Sequence, residues 1–386
     1  MTVWVLSALS ACSTTPAPPA GPALATLLHD SAFTAPATLP DAQAAAHAGP
    51  RLQAALATLG PEVLAAPDPR RELLRRLFPN EQMRLEYDSA RTRSAEEAWA
   101  EQRGNCLSLV LVTAVAARAL GLPFEFLQVK VEEQWTQQGT LMLASGHVQL
   151  AMPATRRGVP ASEQTLIVDF LPSDDLTPQT TQRLDWPTVL AMFMNNRAAE
   201  ALVRGEVDEA YWHARAALQQ DRSFGPALNT LGVVYRHRGL LPQAQQVFET
   251  LLALHGDDAK VLGNLIGTLR AQGLEAPAQA LQLRLARLEP HPPLHFLRLG
   301  KAAAEQGLWA EARQHFQRER RRQPANAEVQ FWLARAAWAL GHTEAASTHL
   351  TQARALSTTP ETQALYGAKL AWLREQAGRA SAPTPR

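Results

Sequence analysis

At 386 residues the chain exceeds one ordinary domain, and a prior of roughly 100 to 200 residues per unit points to two or three. Hydrophobic residues make up 46%, enough for packed cores, and Lys plus Arg (37) nearly cancels Asp plus Glu (36), which leaves no global field to draw the protein to nucleic acid. Two cysteines, Cys12 and Cys106, are too few for a disulfide framework, so each needs its own explanation.

The chain opens MTVWVLSALSAC, a short apolar run ending in Leu9-Ser10-Ala11-Cys12 with no Lys or Arg before it. Residues 1–12 resemble a bacterial lipoprotein signal with its lipobox. The resemblance implies cleavage before Cys12, lipidation of that thiol and tethering to an envelope membrane; Ser13, in place of an aspartate, implies the outer membrane, facing the periplasm. Residues 13–42 begin STTPAPPAGPA, rich in Pro, Ala and small polar residues, and read as an extended tether with too little apolar surface for a core. No later stretch approaches the ~20 apolar residues that a spanning helix requires.

Residues 43–190 read as an α+β domain. Pro50 to Ala65 and Pro69 to Leu77 have helical spacing, and Ser94-Ala95-Glu96-Glu97 is a capped helix start. Arg103-Gly104-Asn105-Cys106-Leu107-Ser108 then leads into Leu109 to Leu120, apolar or Ala-rich on nearly every side, as a buried central helix is. Alternation follows: Phe124 to Val131, then Leu141 to Met152 with His147-Val148-Gln149-Leu150, then the short apolar run Thr165 to Leu171, read as three strands of a mainly antiparallel sheet. Trp99 and Trp135 flank these motifs and suit either a groove lining or the core.

The polar residues in this domain are placed unusually. Cys106 falls at the start of the buried helix, where free backbone N–H groups and the helix dipole favour a thiolate. His147 is the one histidine between Pro50 and Trp212, and Asp169 interrupts the apolar Leu166-Ile167-Val168-Asp169-Phe170-Leu171, where a carboxylate needs a partner. Arg-Gly-Asn-Cys-Leu-Ser-Leu followed by Ala-Ala-Arg-Ala-Leu-Gly-Leu-Pro, then Gly-His-Val and Val-Asp-Phe, resembles the transglutaminase-like superfamily over roughly residues 75 to 190. That resemblance implies a papain-related fold with the cysteine at a helix N-terminus and the histidine and aspartate on adjacent strands. It implies Cys106 as nucleophile, His147 as general base and then acid, and Asp169 as the group that holds the imidazole tautomer. The implied chemistry is acyl transfer from an amide through a thioester to water or to a second amine.

Residues 191–360 repeat. Gly205, Gly239, Gly273, Gly307 and Gly341 recur every 34 residues, and Ala210, Ala244, Ala278, Ala312 and Ala346 each follow five residues later. That period belongs to stacked helical hairpins, and Leu231, Gly232, Tyr235, Gly239, Ala244 and Phe248 fill the positions of a tetratricopeptide unit. Five such units are expected, the glycines and alanines allowing the close approach of paired helices, with a capping helix over 361–377 and a disordered tail over 378–386. The basic cluster Arg318, Arg320, Arg321 and Arg322 precedes Pro324 and reads as a solvated helix end.

The fold class is therefore multidomain: an α+β transglutaminase-like domain, then an all-α tetratricopeptide-repeat solenoid. No phosphate-cradling glycine loop, zinc-type cysteine cluster or H-E-x-x-H pattern is present, so neither metal nor cofactor is expected. Two functions follow. One is an envelope-anchored, cysteine-dependent acyl-transfer enzyme whose repeats recruit a protein or peptide and which binds no nucleic acid. The other is a non-catalytic adaptor lipoprotein with a relic of the enzyme fold.

Overall fold

The computed structural model describes residues 24–78, 86–89, 91–138, 141–154, 164–170 and 180–381. Cys12 and the rest of residues 1–12, expected to be a lipoprotein signal, lie outside them, as do 382–386.

Three helices lead in: α1 (Ala42–Ala45), α2 (Pro50–Ala65) and α3 (Pro69–Leu77). Pro50 and Pro69 sit in the first turns of the latter two, where the missing N–H costs nothing. Asp68 caps α3 by accepting from Arg70 N at 3.0 Å, and its carboxylate also pairs with the Arg70 guanidinium. Arg70, almost fully buried, donates in turn to the Met152 carbonyl at 3.0 Å, pinning α3 to the sheet. Strand β1 (Glu86–Tyr87) pairs in parallel with β2 (Arg103–Gly104), and between them α4 (Ala95–Glu101) opens on a complete capping box of Ser94 and Glu97. The buried helix α5 (Cys106–Ala119) follows, with every residue from Leu107 to Ala117 buried.

Strands β3 (Glu125–Gln138), β4 (Leu141–Pro153), β5 (Thr165–Val168) and β6 (Thr181–Leu184) form one antiparallel sheet ordered β5-β4-β3-β6, and α5 packs on β4. The expected sheet is present with three differences. β3 runs seven residues past Val131; β5 stops at Val168, so that Asp169 lies just beyond it; and β6, Thr-Gln-Arg-Leu, has no apolar alternation by which to recognise it.

Ten helices then form five hairpins. They are α6 (Trp186–Arg204), α7 (Val207–Gln220), α8 (Gly225–Arg238), α9 (Leu241–His255), α10 (Ala259–Ala271), α11 (Glu275–Leu288), α12 (His295–Glu305), α13 (Trp309–Arg322), α14 (Ala327–Ala339) and α15 (Thr343–Ala355). α16 (Pro360–Ser381) packs on α15 as a cap and continues past 377 into the segment expected to be a disordered tail. α6 begins at Trp186, before the expected boundary at 191. The five period alanines are all fully buried.

The period glycines have a different role from the one expected. Each has a positive φ between 76° and 80°, and a Cβ added to any of them would meet nothing within 4 Å. They turn the chain out of the first helix of each hairpin in a left-handed conformation that L side chains resist. Close approach is carried instead by Gly232 and Gly300, whose missing side chains make room for the rings of Phe248 and Phe316.

The expected tether is also corrected over residues 24–42, which pack against the first two hairpins. Phe33 stacks on Tyr211 with ring centroids 3.9 Å apart, and Leu27 is buried. Tyr211 Oη donates to Asp30 Oδ1 and Tyr235 Oη to the Leu27 carbonyl, both at 2.6 Å, while Trp212 Nε1 donates to the Thr34 carbonyl at 2.7 Å. Two apolar anchors and a set of buried phenol partners fix a segment whose composition alone reads as a linker. The far repeats return to the N-terminal unit as well. Trp135 on β3 packs on the cluster of Phe316, Trp309 and Trp332, and Ser89 N donates to the Thr358 carbonyl at 3.0 Å. Trp99 packs on the main core. Among the described residues no helix is long and apolar enough to cross a membrane.

Candidate active site

Cys106 is the first residue of α5 and is partly accessible. Asn105 caps that helix, its Oδ1 accepting from Ser108 N and from Ser108 Oγ, each at 2.9 Å. The N–H of Cys106, in the first turn, has no acceptor within its own helix.

His147 projects from β4, opposite Val129 of β3. Immediately beyond that pair the register slips, with β3 bulging between Val129 and Gln134 opposite Gly146. Bulges of this kind bend a strand and redirect the side chains beside them. The His147 ring is buried, at 3% exposure, and its Nε2 lies 2.8 Å from Asp169 Oδ1. Cys106 acts electrostatically on the same imidazole. With Nε2 turned to Asp169, Nδ1 is the ring nitrogen left to exchange a proton with the thiol.

Burial of the ring disfavours its charge, but the influence of the Asp169 carboxylate and then of Cys106 outweighs it, raising the imidazole from 6.5 to about 9. The histidine is thus held as an imidazolium at neutral pH. Asp169, about a quarter exposed, is fixed from its other side by Gln149, whose Nε2 donates to Oδ2 at 2.6 Å. Gln149 and His147 are two residues apart on β4 and so share a face, and the β4–β5 register places Leu150 opposite Val168 and hence Gln149 beside Asp169.

The structure therefore brings Cys106, His147 and Asp169 together from α5, β4 and the end of β5. Gln149 is a fourth member that the sequence does not single out: one polar residue in an alternating run looks like any solvent-facing position, although at 8% exposure it is buried. Cys12 lies outside the described residues, and the five glycines and five alanines of the repeats lie in the solenoid, apart from the triad. Among the described residues no group of three or more His, Cys, Asp or Glu side chains could hold a metal ion.

No protein-family model and no curated protein matches the chain. Solved structures do, among them two described as TPR proteins. YrrB, described as a TPR protein with an unusual peptide-binding site, is 21% identical with a TM-score of 0.25, the match covering 46% of this chain and 92% of YrrB. A thermophilic TPR protein of Thermus thermophilus is 17% identical over 47% of this chain and 98% of its own, with a TM-score of 0.29. The pilF protein of Pseudomonas aeruginosa is 22% identical over 50% of this chain and 97% of its own, with a TM-score of 0.26. These likenesses cover about half of the chain.

Proposed function

We propose that the chain is a thiol-dependent acyl-transfer enzyme of the transglutaminase-like kind, with a tetratricopeptide solenoid that binds its protein or peptide substrate or a partner. The observation that carries this reading is a buried histidine, under the electrostatic influence of a helix-start cysteine, whose Nε2 lies 2.8 Å from a carboxylate.

In the proposed cycle the Cys106 thiolate attacks an amide carbonyl carbon, forming a C–S bond and a tetrahedral oxyanion that the Cys106 N–H can receive. The intermediate collapses, the C–N bond breaks, and the leaving nitrogen takes the proton of the His147 imidazolium. Neutral His147 then removes a proton from water or from an amine, whose oxygen or nitrogen attacks the thioester carbon. The C–S bond breaks, the thiolate returns, and His147 is again an imidazolium. Water makes the protein a peptidase or amidase; an amine makes it a crosslinker. Asp169 keeps the ring oriented throughout, and Gln149 keeps Asp169 oriented. The proposed setting is the bacterial envelope, with Cys12 lipidated, and rests on the lipobox residues alone. A protein or peptide partner for the solenoid rests on the extended concave face that stacked helical hairpins form.

The test is acylation. Incubated with an activated ester, the protein should gain one acyl group on Cys106, released by hydroxylamine or by a primary amine, and Cys106→Ser and His147→Ala should gain none. If the wild-type chain takes no acyl group on Cys106, the enzyme reading fails and the adaptor reading stands.

A further inference from the structure

The loop just before the nucleophile is gripped from outside its own domain. Thr92 is 1% exposed; its main-chain N–H donates to Glu200 Oε1 at 2.6 Å and its carbonyl accepts from Arg197 Nη1 at 3.3 Å. Glu200 and Arg197 are three residues apart on α6, the first helix of the solenoid, so one turn of that helix holds the backbone of one residue from both sides by opposite charges. The Thr92 hydroxyl lies beside the Glu200 carboxylate and acts on it electrostatically. Its oxygen accepts from Asn105 Nδ2 at 2.8 Å.

Asn105 is the cap residue that immediately precedes Cys106, with its Oδ1 committed to Ser108. Ser108 Oγ in turn accepts from Arg93 N at 2.7 Å, closing the network on the residue next to Thr92. Thr92, Asn105 and Ser108 are all buried. In a buried network each donor has few alternatives, so loss of one acceptor displaces its neighbours in preference to leaving a polar group unpaired. Burial pushes the Glu200 carboxyl up in pKa, and Thr92, Arg197 and Arg204 act against it. A carboxylate is kept there at a cost that solvent would not exact.

We propose that Glu200, with Arg197, is a positioning residue for Cys106, acting through Thr92 and Asn105, so that the solenoid's first helix sets the attitude of the nucleophile. This rests on the acyl-transfer reading of Cys106. The two halves of the protein are then a single device: a force that shifts α6 moves the capping residue of α5, whereas a domain merely tethered to its repeats would not respond. A displacement of about 1 Å at a reacting group can cost about a hundredfold in rate, so the coupling has a measurable scale.

The test is the rate of Cys106 alkylation by iodoacetamide against pH in the full chain. Glu200→Ala should lower the plateau rate about tenfold or more, while the pH midpoint, set by the untouched His147 and Asp169, stays in place. Glu200→Gln, which still accepts from the Thr92 N–H, should recover most of the loss. Thr92→Val, which removes only the hydroxyl, should give an intermediate rate. A purely structural Glu200 would shift the unfolding midpoint and leave the rate of the folded protein unchanged, and that result overturns the proposal. Glu200→Ala with a collapsed fold leaves Thr92→Val as the deciding variant, and a wild-type rate in it overturns the proposal equally. A wild-type Cys106 that reacts no faster than in the denatured chain sinks the acyl-transfer reading itself; a fast wild type with an equally fast Glu200→Ala sinks this inference alone.

Discussion

Replacing Asp169 with asparagine isolates what charge contributes to the site. Burial of the His147 ring is overcome by Asp169 and Cys106, which together raise the imidazole from 6.5 to about 9. At 1.36 kcal/mol per pH unit that difference corresponds to roughly 3 kcal/mol, with Asp169 ahead of Cys106 among the groups that raise it. Because the folded value lies above the unfolded one, this stabilisation is complete below pH 6.5 and is lost as the pH rises through about 9. Asp169→Asn keeps the shape of the side chain and removes the charge. Thermal unfolding of the two proteins, followed by tryptophan fluorescence, should therefore show its largest difference in midpoint just below pH 6.5, with the two curves converging about one pH unit above 9. A difference that stayed constant across that range would show that Asp169 acts on His147 as a neutral acceptor, and would refute the ion-pair account.

Four further outcomes follow from particular residues. Gln149→Leu leaves Asp169 Oδ2 without its 2.6 Å donor, and the acylation rate of Cys106 should fall more than tenfold with an unfolding midpoint nearly unchanged. Phe33→Ala removes a ring stacked 3.9 Å from Tyr211, which should cost about 3 kcal/mol and open residues 24–41 to limited proteolysis. Gly300→Ala drives a methyl into the Phe316 ring and should cost about 1 to 3 kcal/mol in chemical denaturation, recovered in part by Phe316→Leu. Gly307→Ala, by contrast, is strained at φ 76° in open space and should cost about 1 kcal/mol, which Phe316→Leu does not recover.

Much of this arrangement is legible in the chain because its signals are local. Pro50, Pro69, Ser94 with Glu97, and the 34-residue glycine period each mark an element from within a few residues of its end. The candidate site is legible for another reason: a carboxylate in an apolar run is costly to keep without a partner, and the sequence offers a lone histidine and a helix-start cysteine to go with it. What the sequence hides is pairing across long separations. Leu27 and Phe33 are isolated apolar residues in a Pro- and Ala-rich stretch, and their partners Tyr211 and Tyr235 lie in another domain. Gln149 becomes distinctive only when β5 sets Asp169 beside it, and Glu200 looks like any exposed helix carboxylate until Thr92 is found against it. The glycine period marks the repeat but does not reveal its own purpose, since a turn requiring positive φ and a close helix contact both select glycine; the turn is the role these five positions have.

The most direct measurement of the central claim is the rate at which iodoacetamide alkylates Cys106 near neutral pH, read by intact mass and peptide mapping in the folded wild type, in His147→Ala and in the denatured chain. A poised thiolate paired with His147 predicts that the folded protein reacts much faster than the denatured one and that His147→Ala removes most of the advantage. Equal rates in the folded and denatured chains would contradict it.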